Sequence, residues 1–342
     1  MVWSSLLRAA LYYGIYELHA TGQVLPRHPF QNDSAGFSVP GWWWIFFCML
    51  YRTGSAPVSV QHFDAHPVFV YPPGSARFPF RLGTTSYVIP ADVVPNVAFL
   101  KERVDDVELV LFESDGFSNL PSAADIALLA RYGAEYGLTY SVHLPLGIAL
   151  GHDDAAVRVR SAETCRRIVA LTRALPVSAY VLHAEAGEGR RLRLFDEGEL
   201  RRFQELLAVS MERLPEECGV APGMFCLENL DYPLGLLWPV VEACDLGVTL
   251  DVGHLLHHGF SLEEHLARYL HRVRVVHLHG CADGKDHQAV DAFPADSLQL
   301  LLDAFAAAPL SGRVVTLEIF SAENFARSMR TMTAALQGGM VL

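Results

Sequence analysis

Short apolar runs alternate with amphipathic stretches from residue 80 to residue 336, and most runs end in small or polar residues. Runs rich in β-branched residues predict buried strands, whereas apolar positions three or four residues apart predict helices. The predicted strands cover residues 80–87, 107–112, 138–142, 179–182, 223–227, 248–250, 273–278 and 313–317. The predicted helices cover residues 90–103, 122–136, 154–174, 199–214, 261–271, 294–308 and 324–336.

This alternation of strands and helices identifies the fold class as α/β with a parallel sheet. Eight strands over residues 79–342 fit a closed (β/α)8 TIM barrel, which needs about 250 residues, better than an open nucleotide-binding sheet. No Gly-x-Gly-x-x-Gly fingerprint follows a predicted strand, and the chain has no P-loop motif. We therefore predict one TIM-barrel domain over residues 79–342.

Residues 1–78 lack the alternation and are predicted to form an irregular N-terminal extension. The apolar run 41–51 is too short to cross a bilayer, which takes about 20 residues. It lies too far along the chain, without a small-residue cleavage site, to be a signal peptide. An interfacial or partner-binding patch, an extra subdomain and an upstream stretch from a misplaced start codon all remain open. We expect the extension to be poorly ordered.

Composition narrows the choice of partners. The 342 residues carry a formal net charge of −12, with 19% charged and 51% hydrophobic residues. An acidic globular protein is a poor electrostatic match for nucleic acid, so we expect a small-molecule substrate and no transmembrane segment. Reduced thiols and a cytoplasmic location are expected because no CxxC pair occurs among the cysteines. These are Cys48, Cys165, Cys218, Cys226, Cys244 and Cys281.

Acidic and imidazole side chains concentrate where predicted strands three to eight end. In a barrel these ends meet on one face, where such enzymes carry out their chemistry. A single acid or histidine there is readily explained by a salt bridge or a buried hydrogen bond. Seven on one rim are harder to bury, because each uncompensated charge costs several kcal/mol. The predicted metal ligands are His143, His183, Glu228, Asp251, His254, His277 and Glu318.

Imidazole-rich ligation favours zinc, with manganese or cobalt as alternatives, and we expect two or more divalent ions per chain. Several ions could neutralise the seven side chains together. Such a centre also suits phosphoester hydrolysis, because paired ions stabilise both the attacking and the leaving oxygen.

Three motifs on this rim resemble a known family. Glu228-Asn229, Asp251-Val252-Gly253-His254 and His277-Leu278-His279 resemble the xylose-isomerase-like TIM-barrel superfamily over about residues 80–340. That superfamily includes apurinic endonucleases of the endonuclease IV type and sugar-phosphate isomerases and epimerases. The stretches 80–87, 107–113 and 143–146 look closest to the cobamide-remodelling phosphodiesterases, which remove the lower nucleotide loop from corrinoids.

The resemblance implies roles for individual residues. Glu228 would bridge two ions and act in catalysis, with Lys285 or His279 stabilising developing charge. Glu113, Asp286 and His287 would contact a metal or the substrate. The endonuclease type carries Asp-x-His where this chain has Asp286 and His287 adjacent. Because neighbours in a regular strand point to opposite faces, this departure argues against a third metal site.

The resemblance favours hydrolysis of the nucleotide-loop phosphodiester of cobamides. One alternative is a sugar or inositol (phosphate) isomerase or epimerase, in which a carboxylate pair such as Glu228 and Glu318 holds one metal and moves a proton. Another is a non-catalytic barrel that only binds corrinoid or metal. Metal stoichiometry separates the enzymes, because a single ion per chain favours isomerisation.

Overall fold

A computed structural model describes residues 16–18, 24–26, 78–114, 117–187, 190–308 and 312–336. The chain forms two compact units, Met1–Trp43 and Trp44–Leu342. The described residues of the first unit form two short antiparallel strands, Tyr16–Leu18 and Val24–Pro26. The remainder of the predicted extension, including the apolar run 41–51 and Cys48, lies outside the described residues. Its irregular character stays a prediction.

The second unit contains a closed barrel of eight strands, each parallel to its neighbours and in chain order around the barrel. The predicted (β/α)8 fold is therefore confirmed. The barrel strands are β1 (Arg81–Thr85), β2 (Asp106–Val110), β3 (Tyr140–His143), β4 (Val177–His183), β5 (Phe225–Glu228), β6 (Gly247–Asp251), β7 (Val273–Leu278) and β8 (Val314–Leu317).

Helices connect the strands. They are α1 (Val93–Leu100), α2 (Ala123–Tyr136), α3 (Ala155–Thr172), α4 (Glu197–Cys218), α5 (Trp238–Ala243), α6 (Val252–His257), α7 (Leu262–Tyr269), α8 (Ala295–Ala307) and α9 (Ala322–Leu336). Two small antiparallel hairpins extend the loops after β2 and β7. They pair Glu113–Ser114 with Phe117–Ser118 and Gly280–Ala282 with Lys285–Gln288.

Local sequence sets the helix ends. Ser122 and Asp125 form a capping box at the start of α2, which satisfies backbone N–H groups that have no partner within the helix. Gly137 ends the same helix in the left-handed conformation, with a φ of 68°. The Ser261 hydroxyl accepts a hydrogen bond from the Glu264 N–H at the start of α7. These residues fix where α2 begins and ends and where α7 begins.

Part of the barrel interior beneath the predicted metal ligands is apolar. Ala179, Val181, Cys226 and Val275 form a separate buried cluster. Side chains two residues apart on a strand share a face, so His183, Glu228 and His277 stand directly above three of these residues. Apolar packing thus lies beneath three of the predicted metal ligands.

Two further features concern the cysteines and the helices. Cys165, Cys218, Cys226 and Cys244 are buried, Cys281 is half-buried, and all five are free thiols. Within the described part of the chain, no helix combines the length and the apolar character that crossing a membrane requires.

Candidate metal centre

Strand register brings the predicted ligands together at the carboxyl-terminal rim. His183 on β4 pairs with Glu228 on β5, and Asp251 on β6 pairs with His277 on β7. His143 ends β3, and Glu318 directly follows β8. These side chains are at most 5% exposed. The predicted convergence of strand ends therefore holds for all of these residues.

The first group of possible ligands contains His143, His183 and Glu228, whose ligand atoms lie within 4.8 Å of one another. Glu228 Oε2 is 3.2 Å from His183 Nε2 and 3.7 Å from His143 Nε2. His143 Nδ1 lies 3.0 Å from the Leu144 carbonyl oxygen and can donate to it. This hydrogen bond leaves the lone pair of His143 Nε2 facing the centre.

The second group contains Glu228, Asp251, His277 and Glu318, again within 4.8 Å. His277 Nδ1 lies 3.0 Å from Glu228 Oε1 and 3.4 Å from Glu318 Oε2. Glu228 thus presents Oε2 to the first group and Oε1 to the second. One carboxylate shared in this way is the arrangement expected of a ligand that bridges two ions.

A third group contains His254, His279 and His287. The rings of His279 and His287 stack with centroids 4.4 Å apart, and Asp286 Oδ2 lies 3.7 Å from His254 Nε2. The sequence argument against a third site assumed a regular strand at Asp286 and His287. His287, within the hairpin strand Lys285–Gln288, has a φ of 53°, a left-handed conformation that interrupts the regular strand geometry. Both side chains can therefore face His254, and that argument does not apply.

Opposite charges hold the cluster ionised despite its burial. Burial opposes ionisation of Glu228, but the nearby His277 and His183 outweigh it and hold its pKa well below the usual range. Burial acts in the same way on Asp251, where His254 and His279 prevail and lower the pKa to about 2. Burial disfavours a charged His287, yet Glu318 and Asp286 raise its pKa to about 9.

Charged partners lie near the buried polar atoms of the cluster, such as His254 Nδ1 at 3.0 Å from Asp251 Oδ2, but several of these atoms make no well-aligned hydrogen bond among the described residues. They are Glu228 Oε2, Asp251 Oδ2, His254 Nδ1, His279 Nε2 and Glu318 Oε2. Buried polar atoms are normally satisfied, because leaving one unpaired costs about 1–3 kcal/mol. Carboxylate oxygens and imidazole nitrogens are the donors that zinc and related divalent ions prefer. The residues present therefore fit a divalent metal.

Three predicted residues are not members of these groups, and one of them, Asp286, borders the third group through its contact with His254. Glu113 follows β2 in a small hairpin, and its carboxylate pairs with Arg167 on α3. Lys285 is exposed on the hairpin after β7. The structure does not bring either side chain into the three groups, so their proposed contacts are with substrate at most.

Two buried residues to which the sequence assigned no role support the centre. Glu108 on β2 is fully buried, with Oε2 3.0 Å from His277 Nε2. Asn229 exchanges two hydrogen bonds of 2.9 Å with the backbone N–H and carbonyl of Asp251. The available signal for Glu108 was a carboxylate within the apolar run of β2, on the face that alternation turns away from Val107 and Leu109.

Cationic side chains are available in the loops on this side of the barrel. Arg193 lies in a short 3-10 helix after β4 and is 3.0 Å from Asp231, which follows β5. Arg191 contacts the same carboxylate at 3.7 Å. With Lys285 after β7, they carry positive charge in the loops that follow the barrel strands.

The sequence of the barrel was compared with known protein families. Residues 100–335 match the family described as the xylose isomerase-like TIM barrel. A comparison with curated proteins finds no match.

Similar solved structures share the fold at low identity. 3-Keto-D-glucoside 4-epimerase YcjR from E. coli is 18% identical, with a TM-score of 0.58 over 76% of this chain and 99% of that chain. The IolI protein with a bound zinc atom is 13% identical, with a TM-score of 0.57 over 77% of this chain and 100% of that chain.

Endonuclease IV from Thermus thermophilus is 19% identical, with a TM-score of 0.53 over 75% of this chain and 99% of that chain. At these identities, the three likenesses show the fold alone. The sequence match over residues 100–335, which covers most of the barrel, confirms the predicted superfamily. This chain belongs to the xylose isomerase-like TIM-barrel family.

Proposed function

We propose that this chain is a metal-dependent phosphodiesterase whose centre holds two or more divalent ions. The observation that carries the proposal is the position of Glu228, whose two oxygens face separate ligand groups. The second group already offers four ligands, which is a complete set for one ion. An enzyme that used one ion would therefore not need His143 and His183 as well. Zinc is the expected metal, with manganese or cobalt as alternatives, because imidazoles contribute to every group.

Each part of the site has a role in this reaction. Bound divalent ions would lower the pKa of water and offset the charge that develops on a phosphodiester. Glu228 would hold the two ligand groups at a fixed separation, and a cluster of apolar side chains lies beneath them. Lys285 and Arg193 would attract the anionic substrate, and His279 would stabilise developing charge.

Cobamides are the proposed substrate class, cleaved at the phosphodiester of the nucleotide loop. Support comes from the resemblance of residues 80–87, 107–113 and 143–146 to cobamide-remodelling phosphodiesterases. The net charge of −12 also suits a small-molecule phosphodiester better than a nucleic acid duplex. A corrinoid is accordingly the first substrate to assay.

A sugar epimerase or isomerase is the second candidate, and the similar structures support it more than they support hydrolysis. Epimerases for keto-glucoside, L-ribulose and D-psicose share this fold with TM-scores of 0.58. The second ligand group alone, with Glu228, Asp251, His277 and Glu318, could hold one ion beside a substrate carbonyl. Glu228 and Glu318 would then move the proton.

Metal content separates the two candidates. The parent protein and a His183→Ala variant are analysed for bound metal, with His265→Ala as a matched control. His265 is a buried imidazole on α7 whose Nδ1 lies 2.7 Å from the Ser261 carbonyl oxygen, and it is in none of the three groups. A centre with several ions predicts at least two per parent chain and one fewer in His183→Ala. The control should retain the parental content.

Activity assays complete the comparison. Purified protein is incubated with a cobamide and, in parallel, with ketose sugars, and products are identified by chromatography and mass. Release of the lower nucleoside by the parent protein supports the phosphodiesterase, provided that the His183→Ala variant loses both this activity and one metal ion. The second candidate would be supported instead if the parent binds one ion per chain, His183→Ala keeps that ion, and a ketose sugar is epimerised. Tight corrinoid binding without turnover would support a non-catalytic barrel.

A further inference from the structure

Glu108 is a buried carboxylate beneath the centre with one polar contact among the described residues. It lies in the middle of β2 and is 0% exposed. Its Oε2 is 3.0 Å from His277 Nε2, while its Oε1 has no hydrogen-bond partner within the described part of the chain. Burying a carboxylate costs several kcal/mol, so its presence needs a compensating role.

The two nitrogens of His277 face opposite directions. Nδ1 points to Glu228 Oε1 and Glu318 Oε2, at 3.0 and 3.4 Å, and Nε2 points down to Glu108. An imidazole that offers Nδ1 to a metal must carry its proton on Nε2. A carboxylate that accepts this N–H fixes the tautomer, holds the ring orientation and makes the ring a stronger donor to the metal.

Asp106, two residues earlier on the same strand, shows what a purely structural carboxylate looks like here. It accepts hydrogen bonds from the Ser141 N–H and hydroxyl at 3.0 and 2.8 Å. Its other oxygen accepts from the hydroxyls of Thr139 and Ser178 at 2.6 and 2.8 Å. Asp106 therefore ties β2 to β3 and β4, whereas Glu108 contacts a metal-facing imidazole across the barrel.

We propose that Glu108 is a positioning residue that sets the Nε2–H tautomer of His277 and so strengthens metal binding by the second ligand group. The proposal rests on the metal centre of the proposed function but not on its reaction. The second group is needed by a phosphodiesterase and by an epimerase alike, so either activity can fail while the role of Glu108 stands.

The test measures metal affinity rather than turnover. Zinc is titrated into metal-free parent, Glu108→Leu, Glu108→Gln and Asp106→Asn proteins in competition with a chromogenic chelator. Visible spectra of the cobalt-loaded proteins report the ligand field. Urea unfolding of the metal-free proteins gives the stability of each variant, so that loss of affinity is distinguished from loss of folding.

Glu108→Leu should weaken the zinc affinity of one site by about 10–100-fold and shift its cobalt bands. Glu108→Gln should retain part of the affinity, because its amide oxygen can still accept the His277 N–H. Asp106→Asn should lose stability while its zinc affinity stays parental.

Three results would overturn the proposal. One is zinc affinity within about twofold of the parent in both Glu108 variants, since removal of such a partner normally costs tenfold or more. Another is an equal loss of affinity in Asp106→Asn, which would reduce Glu108 to a structural residue. The third is a parent that binds no metal. If Glu108→Leu does not fold, the nearly isosteric Glu108→Gln decides by the same criteria.

Discussion

The glycine of the Asp-Val-Gly-His motif offers a sharp test of how tightly the centre is packed. Gly253 lies in the first turn of α6, beneath the ring of His279. A Cβ added there would lie 2.3 Å from His279 Cε1 and 2.5 Å from each ring nitrogen. Ordinary carbon contacts are about 3.5–4.0 Å, so the ring would have to move by about 1 Å.

One effect of Gly253→Ala stabilises the protein and two destabilise it. Replacing a helical glycine by alanine normally stabilises a helix by about 1 kcal/mol. Overpacking a filled site costs about 1–3 kcal/mol. Displacing the ring also weakens the hydrogen bond of 3.0 Å that the His287 N–H donates to His279 Nδ1, a loss of about 1 kcal/mol. We therefore expect a net destabilisation of about 1–3 kcal/mol, in which overpacking outweighs helix propensity.

Urea unfolding of metal-free protein measures this difference, and Gly147→Ala is the matched control. Gly147 is exposed, and a Cβ added there meets nothing within 4 Å. The control should be neutral or slightly stabilised, because alanine reduces the entropy of the unfolded chain. Equal or greater stability of Gly253→Ala relative to the parent would refute the close packing of His279 on α6.

Three further predictions concern the surroundings of the centre. Asn229→Ala should cost about 2–4 kcal/mol in urea unfolding, because it leaves the buried N–H and carbonyl of Asp251 unpaired; a loss below about 0.5 kcal/mol would contradict this. Burial opposes a charged His183, but Glu228 and Glu185 raise its pKa to about 9. Metal must then displace a proton, so zinc affinity should rise between pH 6 and pH 9, and an affinity independent of pH would argue against His183 as a ligand. Glu113→Gln should lower the free energy of unfolding by less than about 1 kcal/mol, because the ion pair of Glu113 with Arg167 is exposed to solvent. If elemental analysis shows that this variant has lost a bound ion, Glu113 is a metal ligand after all.

The secondary structure was largely predictable from hydrophobic periodicity. The strand predicted over residues 273–278 is β7, and the helix predicted over residues 122–136 is α2 with its cap. The short helices α5 and α6 and the hairpin after β7 were missed. Each is too short for a period to be visible, and α6 begins directly at the end of β6, where the pattern indicated only a loop.

The site was predicted in part for a different reason. In a barrel the strand ends meet whatever the details of packing, so strand-end acids and histidines were placed together correctly. Glu113 was expected to contact a metal or the substrate, and the strand predicted over residues 107–112 placed it directly at a strand end. The strand ends at Val110, and the hairpin beyond it carries Glu113 to Arg167.

The sequence alone determined the periodicity of the chain, because the alternation of apolar and polar residues and the strand ends are local properties. The periodicity in turn predicted the barrel and the rim at which the acidic and histidine side chains lie. Only the tertiary structure decided which atoms meet. Glu228 serves two groups, His287 turns towards His254 through a left-handed backbone, and Glu108 lies beneath His277. These contacts join residues far apart in the chain, and their distances depend on how strands, rings and loops pack together.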